Sequence, residues 1–420
     1  MSENSGINYP GIISGFLTFS IFLCASKRNN AFFRANGFGR SVQTRGLHND
    51  VCLMSISHKQ WIALLRRGHF SALVVQKLTG ALSNRWRYPN AVFSRWHFVG
   101  LKIKTSPQCS LTLKHSSWVL SVAIDPTGQF LASTCFFQNY VTLSQLNSDC
   151  SDAKYVSKLE GHSEPVSFVQ FHPSKKNILA TCSDDRTAKL WWLGEDGNAI
   201  CVFTLKGHYD SVTSIAFCPS APYLVTGSRD KTAKLWLLNA DCSNATCVAT
   251  LQGHSDCIKT VAFHPSAPYL ATGSDDYTVK VWLLNADCSA ATCVSTLKGH
   301  RDLINSIAFN NFGDYIVTAS RDETIMIWQL NLDRSDVVCV CTLKHEGSVR
   351  SVAFHGSSAH CLVSCSNDRT AKVWLLNSDC SSVTQDCILR HTRGVTSVAF
   401  HPSKPYIVTG SEDNTANLWR

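Results

Sequence analysis

A histidine that returns about every 46 residues governs what this chain can fold into. His115, His162, His208, His254, His300, His345 and His391 are separated by 47, 46, 46, 46, 45 and 46 residues, so six periods span 276 residues. Some copies share a longer phrase: Thr-Leu-Lys-Gly-His at 204–208, Thr-Leu-Gln-Gly-His at 250–254 and Thr-Leu-Lys-Gly-His at 296–300. A period of this length marks a chain made of copies of one supersecondary unit, each burying its apolar face on the next.

Each copy carries four segments of strand character. After His208, Val212-Thr-Ser-Ile-Ala-Phe217 has the alternation of a half-buried strand. Cys218-Pro-Ser-Ala-Pro222 is a turn, Tyr223–Ser228 a second strand, Arg229-Asp230-Lys231 a tight turn and Thr232–Trp236 a third strand. A polar loop, Asn239–Ser243, leads to a fourth strand at Cys247–Leu251. Its Asp-Cys-Ser phrase recurs around Asp149, Asp241, Asp287 and Asp379 and reads as turn chemistry. No helical period appears in these units. Four short strands with turn signals at this spacing describe one blade of a propeller.

An Asp 22 or 23 residues after the histidine, and a Trp six residues after that Asp, recur in six units. The sets are His162, Asp185, Trp191; His208, Asp230, Trp236; His254, Asp276, Trp282; His300, Asp322, Trp328; His345, Asp368, Trp374; and His391, Asp413, Trp419. Units with these markers resemble WD40 repeats. The family's usual Trp-Asp dipeptide is absent, Leu or another residue following each Trp. The resemblance covers about 310 residues and implies an all-β, seven-bladed WD40 propeller of four-stranded antiparallel blades at 106–420. It also implies that His, Asp and Trp join a strand-two hydroxyl, Thr226 or Ser228 and their counterparts, in a buried network, since such groups are buried only with partners.

The first unit is degenerate: Gln138 or Asn139 falls where the Asp belongs, and Ser144 or Gln145 where the Trp belongs. The last unit reaches Trp419-Arg420 without a fourth strand, while Cys109-Ser-Leu-Thr-Leu-Lys114 matches Cys201-Val-Phe-Thr-Leu-Lys206. Pairing of residues 108–114 with the last blade closes the ring and removes its free edges.

Propellers host many functions, so function has to come from the residues. No phosphate-cradling glycine loop, nucleophile elbow or HExxH is present. The histidines are the repeat's own, and His172, His264 and His401 recur in His-Pro-Ser turns. No catalytic residue, cofactor or metal site is expected. What differs between copies is the position before each turn Asp: Asp184, Arg229, Asp275, Arg321, Asn367 and Glu412. The resemblance places these on the top rim around a central channel. Positions after the histidines also vary: Tyr209, Asp210, Asp256, Arg301, Asp302, Glu346 and Arg393, with Trp118 at the corresponding place in the first unit. Mixed charge with a few large side chains suits proteins or peptides as partners. The bland alternative is an ordinary solvated loop surface. The expectation is a non-enzymatic scaffold or adaptor, a monomeric propeller within a larger complex.

The formal charge of +9 does not describe the propeller. Residues 1–124 hold fifteen Lys and Arg against Glu3 and Asp50, a net +13; the rest holds 24 basic and 28 acidic side chains, a net −4. Nucleic acid is therefore not expected on the propeller, where phosphates would need a continuous positive stripe. Residues 1–105 are a basic leader, apolar at 11–26 and then Arg-rich and acid-free over residues 27–49. Membrane anchor, organelle presequence, secretory signal and none of these all stay open, the signal disfavoured because only Glu3 precedes the apolar core. Residues 59–82 have the pattern of amphipathic helices, and Trp86, Arg87, Tyr88, Arg95, Trp96 and Phe98 interleave aromatics with basics. Two alternatives follow: an RNA- or RNP-associated factor using this arm, or a ubiquitin-ligase substrate receptor, although no Leu-Pro start of an F-box is found. The nineteen cysteines are odd in number and dispersed, with pairs Cys242/Cys247, Cys288/Cys293 and Cys380/Cys387 lacking the companion ligands of a zinc site. Reduced thiols fit an intracellular, cytoplasmic protein, with membrane tethering or organelle targeting by the leader left open.

Overall fold

The computed structural model describes residues 107–420 apart from 287, 332–335, 357 and 378–379, together with two upstream strands, Phe19–Cys24 and Val51–Ile56. The chain divides into two units, Met1–Val99 and Gly100–Arg420. In the first, the two strands pair antiparallel, Phe19 opposite Ile56. The described part of the apolar stretch at 11–26 is thus a strand. Among the described residues no helix is long and apolar enough to cross a membrane. The helices expected at 59–82 and the aromatic–basic run at 86–98 lie outside the described residues.

In the second unit seven four-stranded antiparallel sheets form a seven-bladed propeller. Blades one to seven open with the strands Val119–Ile124, Val166–Phe171, Val212–Phe217, Ile258–Phe263, Ile304–Phe309, Val349–His355 and Val395–Phe400. Each first strand packs beside the next, and the seventh returns to the first. The strands of blade three are Val212–Phe217, Tyr223–Ser228, Ala233–Leu238 and Ala245–Leu251. The last two run further than the sequence pattern suggests. Their connecting loop is drawn tight by the Asn239 N–H on the Asn244 carbonyl and the Cys242 N–H on the Asn239 carbonyl, both 3.1 Å, so the ladder continues to its edge.

Closure is as expected. Cys109–Lys114 is the outer strand of blade seven, with Leu111 opposite Leu418 and Lys114 opposite Thr415. Gln108 and Arg420 exchange both backbone hydrogen bonds, at 3.2 and 3.0 Å.

The core is seven apolar layers, one between each pair of neighbouring blades. Between blades three and four, Val225, Leu235 and Leu251 meet Ile258, Val261, Leu270 and the buried Trp282. A Cβ on Gly227 would lie 2.7 Å from Ile258 Cγ2, so this second strand can approach the next blade only without a side chain. Hydroxyls clip the inner strands together: Ser214 Oγ accepts from the Val261 N–H at 3.2 Å, and Ser397 Oγ from the Val122 N–H at 3.1 Å. The first strands enclose a central channel of about 560 Å³.

Candidate functional site

Two layers of side chains at the turn end of the blades need separate accounts, one buried and repeated, one exposed and varied. In blade three the buried layer is a linear chain of bonds. Trp236 Nε1–H donates to Thr226 Oγ1 at 2.9 Å, the Thr226 hydroxyl to His208 Nε2 at 2.8 Å, and His208 Nδ1–H to Asp230 Oδ2 at 2.7 Å. The direction follows from chemistry, because indole only donates and a carboxylate only accepts. Asp230 Oδ1 takes the N–H and hydroxyl of Thr232, and its Oδ2 the Tyr209 N–H. Gly207 sits at φ 147°, a backbone conformation that residues with side chains rarely adopt, and packs beside the Trp236 ring.

The same chain recurs in blades two to seven, with His–Asp distances of 2.7 to 2.9 Å. Thr226, not Ser228, carries the hydroxyl; Ser228 instead donates to the Asp210 carbonyl and accepts from the Asp230 N–H. Blade six uses Ser364 in place of threonine. Burial lowers the pKa of His208, His254, His345 and His391, against the pull of their carboxylates. Burial alone would raise Asp185 and Asp368, but hydrogen bonds from His162 and Thr187, and from His345 and Thr370, hold both well below the usual carboxylate range. The four imidazoles are neutral donors at neutral pH and the carboxylates ionised. In blade three the indole, hydroxyl, imidazole and carboxylate of the chain thus find their partners within the blade, as a buried structural network requires.

The second layer is exposed at Asp184, Arg229, Arg321 and Asn367 and half-buried at Asp275 and Glu412. Asp184, Arg229, Asp275, Arg321, Asn367 and Glu412 share one register: each backbone N–H bonds the carbonyl of the residue that introduces its own blade's first strand, at 2.8 to 3.0 Å. Asp184 and Arg229 border the channel, together with Lys259 and Arg350, which the sequence reading overlooked. Lys259 Nζ lies 3.6 Å from Asp275 Oδ2, and Arg321 Nε 3.7 Å from Asp302 Oδ2. Burial raises the Asp275 pKa, and its Oδ1 is buried without a hydrogen-bond partner. Tyr209, Arg301 and Arg393 are exposed just after their histidines, Tyr209 at 85%.

Blade one departs from its six companions in both layers. His115 Nε2 lies 3.5 Å from Ser133 Oγ, and Ser144 stands opposite Leu131 as Trp236 stands opposite Leu224. Gln138 reaches Ser116 Oγ at 2.5 Å, and the hydroxyls of Ser121 and Thr134 are buried without partners. The turn between Cys135 and Tyr140 holds four residues where that between Ser228 and Thr232 holds three. The extra residue changes what reaches the rim. The N–H that bonds the Trp118 carbonyl, at 2.8 Å, is that of Phe136. Phe136 is therefore the rim residue of blade one, and the sequence reading missed it. Trp118 and Phe136 stack with centroids 5.2 Å apart at 17°, and Phe137 adjoins Phe136 at 3.9 Å while 78% exposed.

On the bottom loops, Asp149 Oδ1 accepts the Ser151 N–H and hydroxyl, and Asp241 those of Ser243, the turn chemistry expected. Cys242 is buried and Cys247 exposed, both as free thiols. Among the described residues no group of three His, Cys, Asp or Glu is placed to hold a metal ion.

The comparisons with known proteins agree with this geometry. The family model described as WD domain, G-beta repeat, matches residues 107–137, 153–191, 199–236, 245–282, 291–329, 337–374 and 383–420, well over half of the chain. A transcriptional corepressor, LEUNIG_HOMOLOG of Arabidopsis thaliana, is 27% identical over 26% of this chain and 12% of its own length. Coronin-like protein crn1 of Schizosaccharomyces pombe is 48% identical over 10% of this chain and 7% of its own. A probable cytosolic iron-sulfur protein assembly protein, the CIAO1 homolog of Caenorhabditis elegans, is 32% identical over 23% of this chain and 28% of its own. The matched stretches thus span under a third of each of these relatives.

Proposed function

The chain belongs to the WD40-repeat family, and from that premise we propose that it is a non-enzymatic scaffold that binds other proteins through the rim and top face of its propeller. WD40 propellers generally bind other proteins, and the family is generally one of non-enzymatic scaffolds. One observation carries the reading. Six blades reproduce the buried bond chain with His–Asp distances within 0.2 Å of one another, while the residue above it runs Asp184, Arg229, Asp275, Arg321, Asn367 and Glu412. Fold alone requires uniformity in the first layer and tolerates anything in the second. Alternating charge suits a partner that meets several blades at once.

The test is crosslinking and affinity capture with the full chain and with the double variant Arg229→Glu, Arg321→Glu. Both side chains are exposed, so the fold is expected to survive. At least one partner should be lost or weakened about tenfold or more, the range for reversing rim charges. An unchanged partner set sinks the assignment to this face. The free cysteines support an intracellular, cytoplasmic setting, which imaging of a tagged full chain would check.

A further inference from the structure

Blade one replaces the charged or polar rim position of the other six with aromatic surface. At the two hydrogen-bonded rim positions the other blades pair Pro165 with Asp184, Ser211 with Arg229, Cys257 with Asp275, Leu303 with Arg321, Ser348 with Asn367 and Gly394 with Glu412. Blade one pairs Trp118 with Phe136 and adds Phe137. Trp118 is 37% exposed and Phe137 78%, although water disfavours such rings and the fold would gain by burying them. The same blade lacks the Asp and the Trp that stabilise its neighbours. Stacking Trp118 on Phe136 fills the rim where the polar chain is missing, but leaving Phe137 in water gains the fold nothing.

What surrounds the platform selects its occupant. The blades on either side carry a carboxylate at the register of Phe136: Asp184 on blade two and Glu412 on blade seven. The loop that opens blade two adds Glu164, one residue before the Pro165 that matches Trp118, and touches the aromatic turn through the Val166 N–H on the Gln138 carbonyl at 2.9 Å. Most rim cations lie on blades further round, Arg229 on blade three, Lys259 on four, Arg321 on five and Arg350 on six, while the two adjoining blades carry Arg186 on two and Arg393 on seven. An aromatic face attracts a cation through its ring quadrupole, and a planar guanidinium also stacks on it. Carboxylates on both flanks add a longer-range attraction of the same sign. A greasy anchor would gain from the rings alone and would find the two acids indifferent.

We infer that the stacked Trp118–Phe136 pair, with Phe137 as its outer wall and Asp184 and Glu412 at its sides, binds a cationic side chain, arginine before lysine, on a partner protein. The inference rests on the scaffold reading above and names the chemistry of one of its contacts. The rim cations of blades three to five then face whatever acidic residues the same segment carries, which fixes the direction in which it crosses the channel.

The test selects nine-residue peptides from a randomised displayed library on the full chain, then resynthesises the best binders with each Arg replaced by citrulline, which keeps the shape and removes the charge. The expected result is enrichment of Arg and Lys and a loss of tenfold or more with citrulline at one position. That dependence should vanish in Phe136→Leu and Trp118→Leu, fall severalfold in the paired variant Asp184→Asn, Glu412→Gln, and persist in Phe136→Tyr. Circular dichroism melting of each variant separates lost recognition from lost fold, and Phe136→Tyr keeps the test decisive if either Leu variant unfolds. Binders that tolerate citrulline throughout, binders anchored by an apolar residue, an Arg dependence that survives Phe136→Leu, or a library without binders would each overturn the inference. The scaffold reading falls separately, by the unchanged partner set described above.

Discussion

Blades three and one share the same four strands and an opening histidine, and they divide their side chains in opposite ways. In blade three His208, Asp230, Thr226 and Trp236 turn inward on one another, and Arg229 and Tyr209 are exposed at the rim above. In blade one Ser133, Ser144 and Gln138 fill those places, two buried hydroxyls go unpartnered, and three aromatics crowd the rim. A buried network rigidifies a unit only when every member is satisfied. Blade one lacks that network and is held by its neighbours: Leu131 and Val119 pack against Tyr406, Val408 and Leu418 of blade seven, and Leu143 and Val141 against Val166 and Leu179 of blade two. A ring can carry one weak unit because both its faces are covered, and the freedom gained is spent on the surface.

Acid should expose this division most strongly. Burial keeps His208, His254, His345 and His391 below their ordinary 6.5, and the buried bonds keep their carboxylates below 3.8. Both kinds of group have a lower pKa folded than unfolded, so the unfolded chain takes up more protons and stability is lost as pH falls. The imidazole contribution is complete above about 6.5 and the carboxylate contribution is lost below about 4. Thermal melting should fall by on the order of 10 °C between pH 7 and pH 5 and change little between pH 7 and pH 8. Below pH 4, hydrogen exchange should rise least in blade one, which has no such carboxylate. A melting curve flat from pH 7 to 5 would break the account.

Single substitutions should separate the blades next. Asp230→Ala strands the His208 and Thr232 donors and should cost about 2–3 kcal/mol, whereas Gln138→Ala, its counterpart in blade one, should stay within ~0.5 kcal/mol. Urea midpoints of the two variants measure the contrast, and equal shifts would erase it. The smallest expected effect is at the shared hydroxyl. Thr226→Val keeps the shape but leaves Trp236 and His208 without their common partner, a loss of about 1–2 kcal/mol. Ser133→Ala, at the 3.5 Å contact with His115, should cost under ~0.5 kcal/mol.

Much of this was readable in the sequence because the polar chain and the strand pattern recur at one period. Seven blades, the closing strand and the His–Asp–Trp sets all follow from spacing and the family resemblance. The choice between Thr226 and Ser228 did not, since both point to one face of the same strand and only the reach of the indole decides between them. Phe136 was hidden for a related reason: a degenerate copy has lost the Asp and Trp that keep register, so one extra residue in its turn passes unnoticed. Lys259 and Arg350 were missed because they sit on first strands, where an alternating pattern marks the face but not what it faces.

The seam of the ring also has a history in time. Ser110 Oγ bonds the Leu418 carbonyl across 308 residues, so the propeller strand made first is paired last. At synthesis rates of about 5–20 residues per second, Cys109–Lys114 waits roughly 15–60 s as an open edge while six blades stack behind it. During that interval the molecule is an arc with two sticky ends, at risk of joining another arc instead of itself. Closing costs little more for 308 residues than for half as many, because loop entropy grows only logarithmically. The finished circle then holds its weakest blade from both sides, and the last bond made is the one that turns a growing stack into a single cooperative body.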